Sequence, residues 1–191
     1  MIKSYTDYLE YLEADRVALH RRKTKSSILF DDIWNFQKIM RKCEYLENCK
    51  TGNFKKMLIL YQYRRLSLKL GFTIPINVIG PGLSIAHYGT IVINGGARIG
   101  KNCRLHTCVN IGTAAGKTSD APEIGDNCYI APGVKMFGKI KLGNNMAIAA
   151  NAVVNKSFAH GNCTIGGVPA KKISDKTSNG LLIEGYKKPY K

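Results

Sequence analysis

Residues 79–112 read IGPGLSIAHYGTIVINGGARIGKNCRLHTCVNIG, and the spacing within this stretch decides the fold. Aliphatic side chains recur at Ile79, Ile85, Ile93, Ile99, Leu105 and Ile111, then at Ile124, Ile130, Met136, Leu142, Ile148 and Val154. A small residue usually follows, as at Gly80, Ala86, Gly100, Gly112, Gly125, Ala131, Gly143 and Ala149. Four places after the aliphatic comes a second, mostly apolar set: Leu83, Ala97, Cys103, Val109, Cys128, Val134, Ile140, Met146 and Ala152. A step of six fits neither a helix nor a simple alternating strand. It fits a coil of short strands in which three hexads close one turn and like positions stack on successive turns.

The count is interrupted twice. Ile85 to Ile93 spans eight residues, because His87-Tyr88-Gly89-Thr90 leads into Ile91-Val92. Ile111 to Ile124 spans thirteen, which predicts that Thr113–Pro122 is extruded as a loop. Solenoids carry insertions outward, and function concentrates there. After Val154 the pattern fades and returns at Ile165-Gly166.

Ahead of the repeats, residues 4–70 read as helices. Ser4 with Asp7 resembles a capping box, Asp31 or Asp32 would cap a second helix, and Gly71 would stop a third. The third runs through Phe54, Met57, Leu58, Leu60 and Tyr61, and the aromatics of these helices, Tyr8, Tyr11, Trp34, Phe36, Phe54 and Tyr61, are expected in the core rather than in a ligand cage. The division expected is a helical segment at 1–71, the coil at 72–173, and an exposed tail at 174–191.

The formal net charge of +16 is divided as +7, +7 and +2 over those three parts, so no single arm carries it. A basic surface attracts polyanions, coenzyme phosphates among them. Aromatics are not interleaved with basic residues as base stacking requires, which argues against nucleic acid. Cys103 and Cys128 fall on inward positions, and Cys43, Cys49, Cys108 and Cys163 show no metal-ligand spacing. Reduced thiols, no metal and a cytoplasmic location are expected. The N-terminus has no apolar signal core, and no apolar run is long enough to span a membrane.

Ile85–Asn94 (IAHYGTIVIN), Val109–Gly112 (VNIG) and Gly166–Lys171 (GGVPAK) resemble the hexapeptide-repeat acyltransferases. The serine acetyltransferases and related exopolysaccharide O-acetyltransferases are the nearest branch, over roughly residues 55–173. The resemblance implies a left-handed parallel β-helix, a homotrimer, and acetyl-CoA as co-substrate. It assigns His87 as the base that deprotonates an acceptor hydroxyl at the subunit interface. Imidazole suits that task because it titrates near neutrality and can return the proton to the departing thiolate. Coenzyme contacts would fall at Ala131, Pro132, Gly138, Ala149 and Ala150, with Lys171 and Lys172 facing its phosphates.

Departures from the serine acetyltransferase pattern shape the acceptor expected. The carboxylate preceding the base is replaced by Ala86, and a second aspartate aligns with Phe72. The arginine–histidine pair in the extruded loop aligns with Asp120-Ala121. The final residue is Lys191, not the isoleucine with which that family docks its partner synthase. A zwitterionic acceptor needs opposite charges at its two ends. The sequence therefore points to a sugar hydroxyl in capsule or exopolysaccharide synthesis, contacted by Tyr88, Asn94, Asn110 and Thr113. His106, beside Ala86 on the next coil, would orient His87 or touch substrate, and Lys117 would meet phosphate or an acidic glycan. A serine O-acetyltransferase is the alternative, and a non-catalytic scaffold or glycan-binding module a further one.

Overall fold

The computed structural model describes residues 1–21, 31–49, 53–117 and 119–187. Among these, three helices, α1 (Tyr5–Ala18), α2 (Asp32–Asn48) and α3 (Asn53–Leu70), precede fourteen short strands: β1 (Phe72–Thr73), β2 (Ser84–Ile85), β3 (Ile91–Ile93), β4 (Arg98–Ile99), β5 (Arg104–Leu105), β6 (Val109–Gly112), β7 (Glu123–Ile124), β8 (Tyr129–Ile130), β9 (Lys135–Phe137), β10 (Lys141–Leu142), β11 (Ala147–Ile148), β12 (Val153–Val154), β13 (Thr164–Gly166) and β14 (Lys171–Ser174). Ser4 caps α1 by accepting from the Asp7 amide, and Asp31 caps α2 by accepting from the Trp34 amide. Gly71 ends α3 at φ 76°, a left-handed conformation that glycine adopts without strain.

Every third strand stacks on the same side. One sheet runs β1-β3-β6-β9-β12, a second β2-β5-β8-β11-β13-β14, and a third β4-β7-β10. Pairing is parallel throughout except for the β13–β14 hairpin. The chain therefore climbs a three-sided coil. The register matches the six-residue step, since Ile85 pairs with Leu105, Leu105 with Ile130, Ile130 with Ile148, and Ile148 with Ile165. All twelve repeat aliphatics are buried, and so are all nine members of the second set. Burying an aliphatic side chain of this size stabilises by roughly 1.5–3 kcal/mol, so stacking such columns supplies the coil's cohesion.

The first turn of a coil has an unpaired edge, and the helices cover it with side chains. Gln37 donates to the Leu83 carbonyl and accepts from the Ile85 amide. Asp15 accepts from the amides of Gly82 and Leu83, and Arg41 donates to the carbonyls of Ile79 and Gly80. Arg41 also pairs with Asp15 at 2.8 Å and Glu44 at 2.9 Å. A buried charge is tolerable only when paired and hydrogen-bonded to this extent.

One sequence expectation fails. On α3, Phe54, Met57, Leu58, Leu60 and Tyr61 are exposed, while Tyr63, Leu66 and Leu70 face the core. The helix has apolar residues on more than one side, and only one side meets α2 and β1. The described tail, 174–187, is largely exposed, yet it is docked on the coil. It returns along the corner of Asn102, Asn127, Asn145 and Asn162, whose side chains form a ladder at 2.9–3.0 Å. The Ser178 amide donates to the Asn145 carbonyl, and the Tyr186 backbone exchanges two bonds with the Asn102 side chain.

Candidate active site

His87 stands at the corner between the second and first sheets, between β2 (Ser84–Ile85) and β3 (Ile91–Ile93). Its turn is held from the α3 side. The Gly89 amide donates to the Leu70 carbonyl at 2.9 Å, and the Ile91 amide to that of Gly71. Gly89 has φ 120°, and a Cβ there would lie 2.5 Å from the Thr107 hydroxyl on the next coil. Only glycine lets the turn approach this closely. The imidazole is exposed, and the His106 ring lies 6.2 Å away, centroid to centroid.

His106 itself is buried, packed 4.9 Å from the Tyr129 ring. Burial, with Arg104 and His87 adding positive charge nearby, pushes its pKa down to about 4. It is therefore neutral at pH 7. Arg104 Nε donates to His106 Nε2 at 3.4 Å, which leaves the proton on Nδ1, and its terminal nitrogen reaches Ser84 Oγ at 3.4 Å. These hydrogen bonds are long, so the guanidinium retains donor capacity.

Beneath His87 the corner narrows into small residues. Backbone bonds carry the stack from Ala86 through His106 and Ala131 to Ala149, with Pro132 and Ala150 one place along. Two grooves run between this sheet and the returning tail. One, of about 390 Å³, is walled by Arg104, His106, Tyr129 and residues 180–183. The other, of about 470 Å³, includes Ala147, Ala149, Thr164 and Leu181. A hollow of about 600 Å³ on the third sheet, lined by Arg98, Glu123 and Lys141, does not include His87.

The expected site residues separate into three groups. His87, Tyr88, His106, Ala131, Pro132, Ala149 and Ala150 share the first corner. Asn94, Thr113, Lys117 and Gly138 gather at the next one, where the Asn94 amide bonds the Ile111 carbonyl and the Gly138 amide that of Gly112. The length of the first sheet's strands lies between them. Asn94 spends its side-chain oxygen on the Gly96 amide at 2.8 Å, and Asn110 is exposed on the strand between the corners. Lys171 and Lys172 lie on β14, with Lys172 paired to Asp175. The extruded loop is present, though Thr118 within it falls outside the described residues.

The departures have structural causes. Phe72 is buried and meets Phe36 edge-on at 5.0 Å, so this place serves the contact between helices and coil. Ala121 is buried as well. Arg104 is a candidate that sequence reasoning missed: it lines a groove and contacts His106. The signal was its place immediately before an inward aliphatic, which makes it outward-facing, one rung below Ser84.

No family model matches the chain. A serine acetyltransferase of Staphylococcus aureus (strain N315) is 38% identical over 89 residues, which are 46% of this chain and 42% of that protein. The chain thus spans less than half the length of the curated relatives it matches. The crystal structure of Neisseria gonorrhoeae serine acetyltransferase in complex with serine superposes with TM-score 0.70 at 26% identity, covering 90% of this chain and 71% of that one. That of Brucella abortus strain S19 serine acetyltransferase in complex with coenzyme A gives 0.72 at 24% identity, covering 90% and 70%. The chain is similar to serine acetyltransferases in sequence and fold. This overturns the sugar acceptor and the polysaccharide role expected from sequence, because the relatives and the structural neighbours alike carry the serine name.

Proposed function

We propose that this chain is an acetyl-CoA-dependent serine O-acetyltransferase with His87 as general base. The carrying observation is an exposed imidazole on a turn held from the α3 side and packed close on the next coil, above a column of small residues. Similarity to proteins solved with serine and with coenzyme A supports the same reading.

In this reading the His87 imidazole accepts the proton of the serine hydroxyl as that oxygen attacks the acetyl thioester carbon. The resulting oxyanion collapses, the carbon–sulfur bond breaks, and the imidazolium returns its proton to the coenzyme thiolate. A positioned base of this kind contributes about 10²–10⁴ in rate. The corner column of Ala131, Pro132, Ala149 and Ala150 would let the coenzyme's pantetheine arm lie close to backbone amides and carbonyls. Lys171 is the freer of the two phosphate candidates, since Lys172 already faces Asp175.

A left-handed coil assembled as a homotrimer completes the proposal. In that assembly a neighbouring copy would bring its second corner, with Asn94, Thr113, Lys117 and Gly138, to His87. The helical segment 1–71, the coil 72–173 and the tail 174–191 are retained as the working division. Thiol release from acetyl-CoA, measured with L-serine and without acceptor, tests the function. A rate unchanged by serine would refute it.

A further inference from the structure

Arg104 has a half-buried guanidinium, and among the described residues no carboxylate pairs with it. Its two side-chain contacts, to His106 and Ser84, are neutral and 3.4 Å long. They orient the guanidinium without neutralising it. It opens into the groove bounded by the Tyr129 ring and residues 180–183 of the returning tail. The groove shares His106 with the His87 corner, where the two imidazoles stand 6.2 Å apart.

An unpaired cation in a partly enclosed groove is a site for an anion. The anion's size follows from the neighbours. His106 bounds the gap, since its ring lies 6.2 Å from that of His87 and its Nε2 3.4 Å from Arg104 Nε, so a ligand that hydrogen-bonds His87 at one end and Arg104 at the other is short. A short hydroxy acid meets this condition, and serine is one.

We infer that Arg104 is the carboxylate-binding residue of the acceptor site, and that acceptors are selected as short hydroxy acids through their carboxylate rather than their ammonium group. This deepens the serine reading and rests on it. His106, neutral and buried, holds the guanidinium in place without competing for the anion. Ser84 fixes the guanidinium from the strand above.

The test measures acetyl-CoA turnover by the full chain with L-serine and with L-serinamide, whose carboxylate is replaced by a neutral amide. Wild type should prefer serine. Arg104→Ala should raise the KM for serine about 10–100-fold, leave the KM for acetyl-CoA within about twofold, and abolish the preference over serinamide. Arg104→Lys should keep part of the preference, because it retains the charge without the fork. Arg98→Ala, on the third sheet, should behave as wild type. Circular dichroism establishes that each variant is folded. An Arg104→Ala enzyme that still discriminates serine from serinamide overturns the assignment, as does a rise confined to the KM for acetyl-CoA. Absence of serine turnover in wild type would instead refute the function proposed above.

Discussion

Replacing His106 by Gln should remove a specific acid sensitivity of the fold. His106 is buried beside Arg104, His87 and Tyr129, and its pKa falls from about 6.5 to about 4. For a base depressed in the folded state, the unfolded chain binds the proton first as pH falls. Stability is therefore full above about pH 6.5 and is lost down to about pH 4. The ceiling on this loss is ~3.4 kcal/mol, at 1.36 kcal/mol per pH unit of depression. The ring adjoins an open groove, so solvent screening brings the realistic figure to ~1–2 kcal/mol, of which ~1 should be gone by pH 5. Urea unfolding of wild type and His106→Gln at pH 7, 6 and 5, at one protomer concentration, isolates the contribution from carboxylates that titrate in both proteins. Glutamine keeps an acceptor for Arg104 and does not titrate. Wild type should lose ~1 kcal/mol relative to the variant between pH 7 and pH 5. A difference that stays flat over that range would refute the neutral, buried imidazole.

Other perturbations read different parts of the same structure. His87→Ala should lower kcat for acetyl transfer by about 10²–10⁴ while leaving the KM for acetyl-CoA within a few fold, as steady-state kinetics would show. Arg41→Met should cost ~3–5 kcal/mol in urea unfolding, because it strands Asp15 and Glu44 in the interior. A cost below ~1 kcal/mol would mean that the cluster is solvated. Cys108 is exposed, adjoins Thr107 under the His87 turn and is the cysteine expected to label first with a maleimide. Labelling should inhibit wild type and spare a Cys108→Ser variant.

The coil was legible because its physics is local and repeated. Each hexad announces its inward aliphatic, and stacking follows from the period, so the pairing of Ile85 with Leu105 follows from the spacing alone. The corner at His87 was legible for the opposite reason, since an eight-residue step where six is the rule must leave something outside. Outward positions gave less away. Arg104, Tyr129 and Lys135 all precede inward aliphatics, and only the fold distinguishes a solvated one from one facing a groove. The exposure of Phe54 and Tyr61 was hidden because a helix with apolar residues on several sides does not declare which side is covered. The Asn102–Asn162 ladder was hidden too, since its members adopt positive φ at corners that the repeat count leaves blank.

The least legible residues also bear on the position of the proposed base. Gln37, Asp15 and Arg41 lie far from the coil in sequence, and nothing in the helical pattern marks them as partners of Leu83, Ile79 or Gly82. Yet these polar groups bind the first rung, and β2 on that rung leads directly into His87. The same helices present the Leu70 carbonyl to the Gly89 amide, closing the turn from its other side. A coil without such a cap would leave its first strand as an open edge, free to fray or to pair with another chain. The imidazole sits at the exit of β2, so its placement depends on side chains outside the repeat. Substitutions in the helical segment that spare the stacked aliphatics should therefore disturb the His87 turn before they disturb the rungs below it. Hydrogen exchange would show this as early loss of protection at Gly89 and Ile91, while Ile130 and Ile148 stay protected.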